Sequence, residues 1–506
     1  MNLPPEIVHH FVNLFLGQDL THPWICNLTY LSLRDEAGAY FKDVPIYDMH
    51  ESDDDDSTHS DRDDNDGDDM GENGDHSDPN AGNMIKEDIK YTAQVVAFMK
   101  QNKNLSEIAV KGCDSRLDWG PIFEHCPSTL KALTVIQVTL TDRDMQRFFA
   151  FGPQLSKLGI IASSIFVKEA GGAPGSFTLF PSGHGPTFPN LVQLTIDNVL
   201  CEFDMPAWIS NCPEVKSLTW NYIAYTETKL LPSSSVPWFT QTIKAPIWSQ
   251  IQSLQLSFPL KGLLTDARIA QVLDGCAPLT ACILSGSEMW LKSMDSLKRH
   301  YPTLERVNMT ECPNTRSWMY QAILTSCSKL RDFSAGTLDA AELVTTDDAM
   351  KDRTQILFAE MRRDLLLIEP GAVPRDMRMV THHSQRDISK VLRWVCVGLQ
   401  SLKLGIKGVK DGWDQQIFAQ ISKLERLKEL DVSVGRGTQQ ALEDRGLDFR
   451  LQSGLGLLET IKWLTKVKFD DCYQENQDFG SADHAWLLEQ WPYLTMVNDV
   501  PTGFRL

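Results

Sequence analysis

Cysteine and histidine are the residues of this sequence that could hold a transition metal or act as nucleophiles. There are eleven cysteines and twelve histidines. Zinc sites in proteins draw on closely paired ligands, most often C-x-x-C, and no such pair occurs in the sequence. His382-His383 follows a segment broken by Pro370 and Pro374, without a carboxylate or cysteine at ligand spacing. We therefore expect no metal site and interpret His382-His383 as part of a surface loop.

The sequence motifs of common catalytic and nucleotide-binding folds are also absent. There is no G-x-x-x-x-G-K-[ST] phosphate loop, no G-x-G-x-x-G after a strand, no H-E-x-x-H and no G-x-S-x-G. Each of these motifs places a phosphate-binding backbone, a metal ligand or a nucleophile at a fixed position in its fold. We therefore expect a protein that is not an enzyme and needs no cofactor.

Acidic residues are concentrated in one tract near the N-terminus. Residues 51–78 contain fourteen Asp and Glu against one Arg, so this tract carries −13 of the formal net charge of −19. Such a composition cannot bury enough apolar surface to fold alone, and we interpret residues 49–90 as an acidic disordered linker. Binding of a basic partner, or phosphorylation at Ser52, Thr58 and Ser60, is the alternative. The nearly balanced remainder disfavours nucleic-acid binding by a basic surface.

A repeat, L-x-x-L-x-L with other apolar residues allowed at the Leu positions, organises the rest of the chain. Most successive copies start 24 to 28 residues apart, the length of one leucine-rich repeat. Apolar residues at three- to four-residue spacing before several copies predict helices, as in residues 268–273 and 319–324. The copies begin at Leu105, Leu130, Leu155, Leu191, Val215, Ile251, Leu279, Leu304, Leu330, Leu399, Leu427 and Leu464, with a fragment at Leu494.

The spacing of the repeat predicts which side chains are buried. The first, fourth and sixth positions point inward, while the residues between them face outward along a short parallel strand. One repeat cannot bury its own apolar side, but stacked neighbours can. Residues 91–506 are therefore predicted to form a curved α/β leucine-rich-repeat solenoid, with parallel strands on the concave face and helices on the convex face. We expect a degenerate or inserted region at about residues 340–392, and buried, unreactive cysteines at the repeat positions.

The first forty-odd residues follow a different pattern. Leu3-Pro4-Pro5-Glu6-Ile7 starts a helix, because prolines suit the first helical turn. Asp19-Leu20 and Ile25-Cys26 follow. This order resembles the F-box, a short helical motif that docks on a Skp-family adaptor of cullin-RING ubiquitin ligases. On that resemblance, residues 1–48 form a small N-terminal α-helical F-box-like segment.

A second interpretation of the same residues stays open. The segment 24–33 looks like the segment 394–404, which starts a later repeat. On that view residues 20–34 contain the first strand of the solenoid, and only the first helix resembles an F-box.

The head and the repeats together resemble the fungal F-box/leucine-rich-repeat proteins with cysteine-containing repeats. The resemblance implies a substrate-recognition subunit of an SCF-type ubiquitin ligase, whose partners are a Skp-family adaptor, a cullin scaffold and an unknown protein substrate. The implied adaptor contacts are the apolar residues of the first helix, Leu3, Pro4, Ile7, Phe11 and Leu14. The implied substrate contacts are outward-facing residues of the concave face, Thr134, Thr195, Thr219, Asn221, Gln255, Asn308, Thr310, Ser334, Lys403, Asp431, Lys468 and Asp470.

Two other functions are compatible with the sequence. One is a protein-interaction scaffold that binds no adaptor. The other is a regulator of a small GTPase, since one family of GTPase activators also combines leucine-rich repeats with an acidic tract. With no apolar run long enough to span a membrane, no secretory signal and an odd number of cysteines, we expect a cytoplasmic or nuclear protein in a reducing compartment.

Overall fold

The computed structural model divides into two compact units. The first unit is Met1–Leu179 with Val199–Phe203, and the second is Phe180–Asn198 with Asp204–Leu506. None of the helices described is long and apolar enough to cross a membrane. The structure describes residues 30–34, 92–111 without 94 and 98, 119–137, 139–161, 164–166, 187–197, 200–201, 211–221, 246–257, 264–344, 393–433, 446–469 and 481–502.

The first unit contains two parallel sheets. One joins β1 (Tyr30–Arg34), β2 (Glu107–Lys111), β3 (Ala132–Ile136) and β5 (Lys157–Ile161) in that order. The smaller one joins β4 (Thr139–Thr141), β6 (Ser164–Phe166) and β8 (Leu200–Cys201). Helical residues occur between 92 and 101, followed by α1 (Trp119–Glu124), α2 (Asp142–Phe151) and a 3-10 turn at Gly152–Gln154.

The second unit is a longer ladder of strands with helices between them, in which all described pairs are parallel except the last, where β17 and β18 are antiparallel. Its helices are α3 (Asp266–Gly275), α4 (Leu291–Lys298), α5 (Ser317–Leu324), α6 (Trp413–Ile421) and α7 (Ser481–Gln490). Short 3-10 helices lie at Pro246–Gln250, Ala340–Leu343, Leu451–Ser453 and Leu455–Thr460. The strands, in ladder order, are β7 (Gln193–Asp197), β9 (Ser217–Asn221), β10 (Ser253–Ser257), β11 (Ala281–Ser285), β12 (Arg306–Asn308), β13 (Asp332–Asp339), β14 (Ser401–Lys407), β15 (Glu429–Asp431), β16 (Lys466–Lys468), β17 (Met496–Val497) and β18 (Val500–Pro501).

The burial of the strand residues follows the repeat pattern. Leu304, Val307 and Met309, at the first, fourth and sixth positions of one copy, are at most 2% exposed. The fourth position is equally buried in other copies, as for Leu254 and Leu402. Parallel pairing aligns this position on neighbouring strands, with Leu254 opposite Cys282 and Leu402 opposite Phe333. Each unit is therefore a stretch of α/β leucine-rich-repeat solenoid, which confirms the fold class predicted from the sequence.

Backbone hydrogen bonds join each repeat to the next at the point where a strand begins. The carbonyl oxygen of Lys216 accepts from the N–H groups of Gln252 (2.8 Å) and Ser253 (3.0 Å). The carbonyl oxygen of Arg331 accepts in the same way from Gln400 (2.7 Å) and Ser401 (3.0 Å). One carbonyl with two lone pairs thus satisfies two successive donors of the following repeat, which fixes the register of neighbouring strands.

Aspartates near the start of several helices make a second connection between repeats. The Asp266 carboxylate, at the first residue of α3, accepts the backbone N–H groups of Trp290 (2.9 Å), Lys292 (3.0 Å) and Ser293 (2.9 Å) at the start of α4. The N–H groups of Lys292 and Ser293 have no acceptor within α4, whereas that of Trp290 is shared with the Ser293 hydroxyl at 2.9 Å. The Asp414 carboxylate, near the start of α6, likewise accepts the backbone N–H of Asp448 at 2.9 Å.

The strand ladder bears on the region predicted to be degenerate or inserted. Strands β13 and β14 are direct neighbours, with Asp332 opposite Ser401 and Asp339 opposite Lys407. No further strand therefore lies between these two repeats, although 61 residues of sequence separate the end of β13 from the start of β14. Residues 345–392 themselves lie outside the described residues.

Strand β1 bears on the two interpretations of the N-terminal segment. Tyr30–Arg34 pairs in parallel with Glu107–Lys111, as a strand of the leucine-rich-repeat sheet. The interpretation of residues 20–34 as the start of the solenoid expects this strand, whereas a helical segment covering all of residues 1–48 does not. The rest of residues 1–48 and the whole tract 51–78 lie outside the described residues.

The cysteines behave as small apolar residues. Cys212, Cys276, Cys327 and Cys396 each lie three residues before the first apolar position of a repeat and are buried there, and burial raises the pKa of each thiol to about 12. Cys282 is buried as well, and burial raises its pKa too. Cys126, Cys212, Cys276, Cys282, Cys312, Cys327 and Cys396 are free thiols. A thiol with so high a pKa holds almost no thiolate at neutral pH and is a poor nucleophile.

Candidate protein-interaction surface

The outward-facing side chains of the strands form the surface that the sequence singled out. Thr134 lies on β3 in the first unit, and none of the predicted contact residues within the described part of the chain is buried. In the second unit, Thr310 lies two residues after the end of β12, and Asp470 lies outside the described residues. The others lie on strands of the second unit, namely Thr195, Thr219, Asn221, Gln255, Asn308, Ser334, Lys403, Asp431 and Lys468.

Parallel pairing arranges these residues in a column across the second unit. Gln255 lies opposite Thr219, and Ser334 lies between Asn308 and Lys403. Lys403 is in turn opposite Asp431. Neighbouring strands are about 4.8 Å apart, so residues at the same repeat position on successive strands are close enough for one bound segment to contact several of them.

A depression of about 400 Å³ opens on this face of the second unit, across strands β11 to β15. We call it the strand-face depression. Of the predicted residues it brings together Asn308, Ser334 and Lys403, and it leaves the other predicted residues outside its lining. The apolar residues of its lining are Ile283, which faces outward, and Val307 and Phe333, whose side chains are at most 2% exposed. The polar part of its lining also includes Arg306, Asp332, Gln400, Ser401, Lys428 and Glu429.

Hydrogen bonds already occupy some of the polar groups that line the depression. Glu429 accepts from the hydroxyl of Ser401 at 3.2 Å and pairs with the ammonium of Lys466 at 3.6 Å. The Asn308 side-chain oxygen accepts from the N–H (2.9 Å) and the hydroxyl (2.7 Å) of Thr310. The amide NH₂ of Asn308 is therefore the part of this side chain still able to donate to a ligand.

The remaining charged groups of the depression are unpaired. Within the described part of the chain, Arg306, Lys403, Lys428 and Asp332 make no ion pair. Lys468, two strands beyond Lys403 in the same column, differs in this respect, since it pairs with Asp499 at 2.6 Å. Three unpaired cations against one unpaired carboxylate leave the depression with an excess of positive charge.

Sequence analysis missed the second outward column of this surface. Arg306, Asp332, Ser401 and Glu429 occupy the third repeat position, directly before the inward-facing fourth residue. The selection from the sequence took the fifth and seventh positions. The signal that could have found them is the alternation of a strand, since the third position points to the same side as the fifth.

The predicted adaptor-binding residues lie elsewhere in the chain. Leu3, Pro4, Ile7, Phe11 and Leu14 are outside the described residues. Their role therefore stays a prediction from the sequence.

The described surface offers hydrogen-bonding and charged side chains to a partner. Among the described residues no group of three or more His, Cys, Asp and Glu side chains is arranged to hold a metal ion. A shallow depression on a regular sheet provides hydrogen-bond donors and contact area, whereas small-molecule sites are deeper and enclose most of the ligand.

Comparisons with known proteins find similarity among solved structures. No family model and no curated protein matches the chain. Among solved structures, a chain of the crystal structure of the Rad7 and Elc1 complex in yeast matches with 13% sequence identity and a TM-score of 0.36. The match covers 80% of this chain and 70% of that chain. At this identity and score we draw no conclusion from it about partners.

Proposed function

We propose that the protein is a non-enzymatic substrate-recognition subunit of an SCF-type ubiquitin ligase. The N-terminal segment binds a Skp-family adaptor, and the strand face of the solenoid binds a protein substrate. One observation carries the substrate-binding half, namely a row of outward-facing polar side chains that parallel pairing aligns over consecutive strands, with a depression in its middle. The adaptor-binding half rests on the F-box resemblance of residues 3–26. We place the protein in the cytoplasm or the nucleus.

The physical argument for protein binding is the form of the surface. Rigid neighbouring strands present side chains at fixed spacing, so binding an extended segment costs little ordering of the solenoid. The side chains are polar and mostly part-buried, which suits directional hydrogen bonds to a partner. No covalent step is needed for such a role.

A protein-interaction scaffold without adaptor binding is the second candidate. Strand β1 favours it, because residues 30–34 belong to the leucine-rich-repeat sheet, and this leaves a shorter segment for an F-box. On this view the strand face has the same role, while the first helix covers the end of the repeats.

Co-purification with a Skp-family adaptor separates the two candidates. The tagged full-length chain is expected to bring the adaptor down, and Ile7→Asp with Phe11→Asp is expected to abolish this, because buried charge is costly in an apolar contact. His9→Asp with Asn13→Asp, on the opposite side of the predicted helix, is the matched control and should retain the adaptor. If the wild-type chain binds no adaptor, or if both double variants bind it equally, the proposed ligase function is wrong and the scaffold without adaptor binding is the better candidate.

The strand face has its own test. Ser334→Trp fills the depression without touching the core, since Ser334 is outward-facing between Asn308 and Lys403. We expect it to remove a cross-linked or co-purified substrate while leaving adaptor binding and the thermal midpoint unchanged. A substrate that still binds the Ser334→Trp variant would place the binding surface elsewhere.

A further inference from the structure

The unpaired groups of the strand-face depression indicate what kind of residue it accepts. We propose that the depression binds an aspartate or glutamate side chain within an extended acidic segment of the protein substrate. This inference rests on the proposed function of the strand face and adds the chemical class of its ligand.

The first argument is the balance of available charge. Glu429 is already engaged by Lys466 and by the Ser401 hydroxyl. In the lining, Arg306, Lys403 and Lys428 then face a single unpaired carboxylate, Asp332. An isolated group of like charges is stabilised by an opposite charge brought between them, so a negatively charged ligand is favoured over a neutral or cationic one.

The second argument is the balance of donors and acceptors. The Asn308 oxygen is occupied by Thr310, which leaves its NH₂ group as a donor. The hydroxyl of Ser334 has no hydrogen-bond partner in the described part of the chain, and Lys403 beside it carries three N–H donors. A ligand that only accepts hydrogen bonds, as an ionised carboxylate does, satisfies these groups together.

The third argument separates a carboxylate from a phosphate. Asp332 and Glu429 are part of the same lining as the cations. A phosphate group carries close to twice the charge of a carboxylate at neutral pH, which scales its attraction to the cations and its repulsion from the acids alike, so the apolar part of the lining separates the two ligands. Ile283, outward-facing opposite Asn308, provides an apolar contact for the two methylene groups of a Glu side chain, whereas phosphoserine carries only one.

The test is a binding titration of the full-length protein with a labelled short peptide of glutamate residues, followed by fluorescence anisotropy. A glutamine peptide of the same length and a peptide with phosphoserine in place of glutamate are the comparison probes. We expect the glutamate peptide to bind most tightly and to lose affinity as salt is raised.

Four single variants locate the site. Lys403→Gln and Arg306→Gln are each expected to weaken binding of the glutamate peptide by about three- to tenfold, and Asp332→Asn is expected to strengthen it. Lys468→Gln is the matched control, because its ammonium group is paired with Asp499 outside the depression, and it should leave binding unchanged. Thermal midpoints of all four variants establish that they are folded.

Three results would overturn the proposal: absence of glutamate-peptide binding, equal weakening by Lys468→Gln and Lys403→Gln, or tighter binding of the phosphoserine peptide. The proposed function is judged separately. If the Ser334→Trp variant loses its captured substrate but no glutamate peptide binds, the strand face is still the substrate site and only the acidic ligand is wrong.

Discussion

Trp394 donates its indole N–H to the side-chain oxygen of Gln321 at 3.1 Å, although 73 residues separate the two positions. Both side chains are buried. Gln321 lies on α5, before residues 345–392, and Trp394 lies two residues after them. The Gln321 NH₂ group also donates to the carbonyl oxygen of Glu342 at 3.3 Å. The buried amide of Gln321 therefore connects the repeat of β13 with the repeat of β14, which are separated in sequence by residues 345–392.

Loss of the Trp394 donor should weaken the junction of these repeats. In Trp394→Phe the Gln321 oxygen stays buried without a partner, so we expect the free energy of unfolding to fall by about 2 kcal/mol. Urea titration measures this free energy of unfolding. Trp463→Phe is the control, because Trp463 is 56% exposed and its ring stack with Tyr493 survives the change; its effect should stay within about 0.5 kcal/mol. Equal losses in both variants would show that the buried hydrogen bond is not the cause.

The Asp266 carboxylate should stabilise the start of α4. Asp266→Asn keeps the size of the side chain but replaces an acceptor oxygen by a donor and removes the charge near three backbone N–H groups. We expect a loss of about 1–2 kcal/mol in the free energy of unfolding. Asp274→Asn, at an exposed position near the end of α3, is the control. The prediction is wrong if the two variants unfold at the same urea concentration.

His300 should make the stability of the second unit depend on pH. Its Nδ1 accepts from the Leu279 N–H at 3.1 Å and its Nε2 lies 3.0 Å from the Leu273 carbonyl oxygen, which fits the neutral ring protonated on Nε2. Burial lowers the pKa of His300 from its usual 6.5, and the Arg299 cation lowers it further, while the Leu273 hydrogen bond and Asp274 act in the opposite direction.

The direction of this effect follows from linkage. The unfolded chain binds the proton more tightly than the folded one, so the stabilising contribution is complete above about pH 6.5 and is lost as pH falls toward the folded pKa. Urea titrations at about pH 7.5 and about pH 5.5 should show a smaller pH-dependent loss in His300→Gln than in wild type. His484→Gln, exposed on α7, should keep the wild-type dependence. An unchanged slope in His300→Gln would exclude this residue as the source.

Gly336 is a position where the packing of β13 requires the absence of a side chain. A Cβ at this residue would lie 2.8 Å from the hydroxyl oxygen of Tyr320, which is hydrogen-bonded to the Thr315 hydroxyl at 2.6 Å. Gly336→Ala should therefore displace Tyr320 and cost about 1–3 kcal/mol of the free energy of unfolding. Gly398→Ala, with no atom within 4 Å of the new methyl group, should be neutral or slightly stabilising. Thermal and urea unfolding of both variants check the contrast, and a neutral Gly336→Ala would contradict it.

Much of the fold was predictable because the repeat encodes it locally. A side chain such as Leu254 or Leu402 is buried for the same reason in every copy, namely that stacked repeats cover the inward positions of the strand. The burial of Cys276 and Cys396 follows from the same position in the repeat. These predictions needed only the spacing of residues along the chain.

The candidate site was only partly predictable, since it depends on which repeats are neighbours. Asn308, Ser334 and Lys403 were selected from the sequence, but only the pairing of β12, β13 and β14 places them in one depression with Arg306 and Asp332. Whether a charged side chain has an ion-pair partner also depends on the tertiary structure. Lys468 pairs with Asp499, whereas Lys403 has no such partner in the described part of the chain.

The sequence by itself determined the inward and outward sides of each strand, because that alternation is a property of two to six consecutive residues. Only the tertiary structure decided that the repeats on either side of residues 345–392 stack directly, that Tyr30–Arg34 extends the sheet, and that a buried amide joins Gln321 to Trp394. These are contacts between residues far apart in the chain, and no local spacing specifies them.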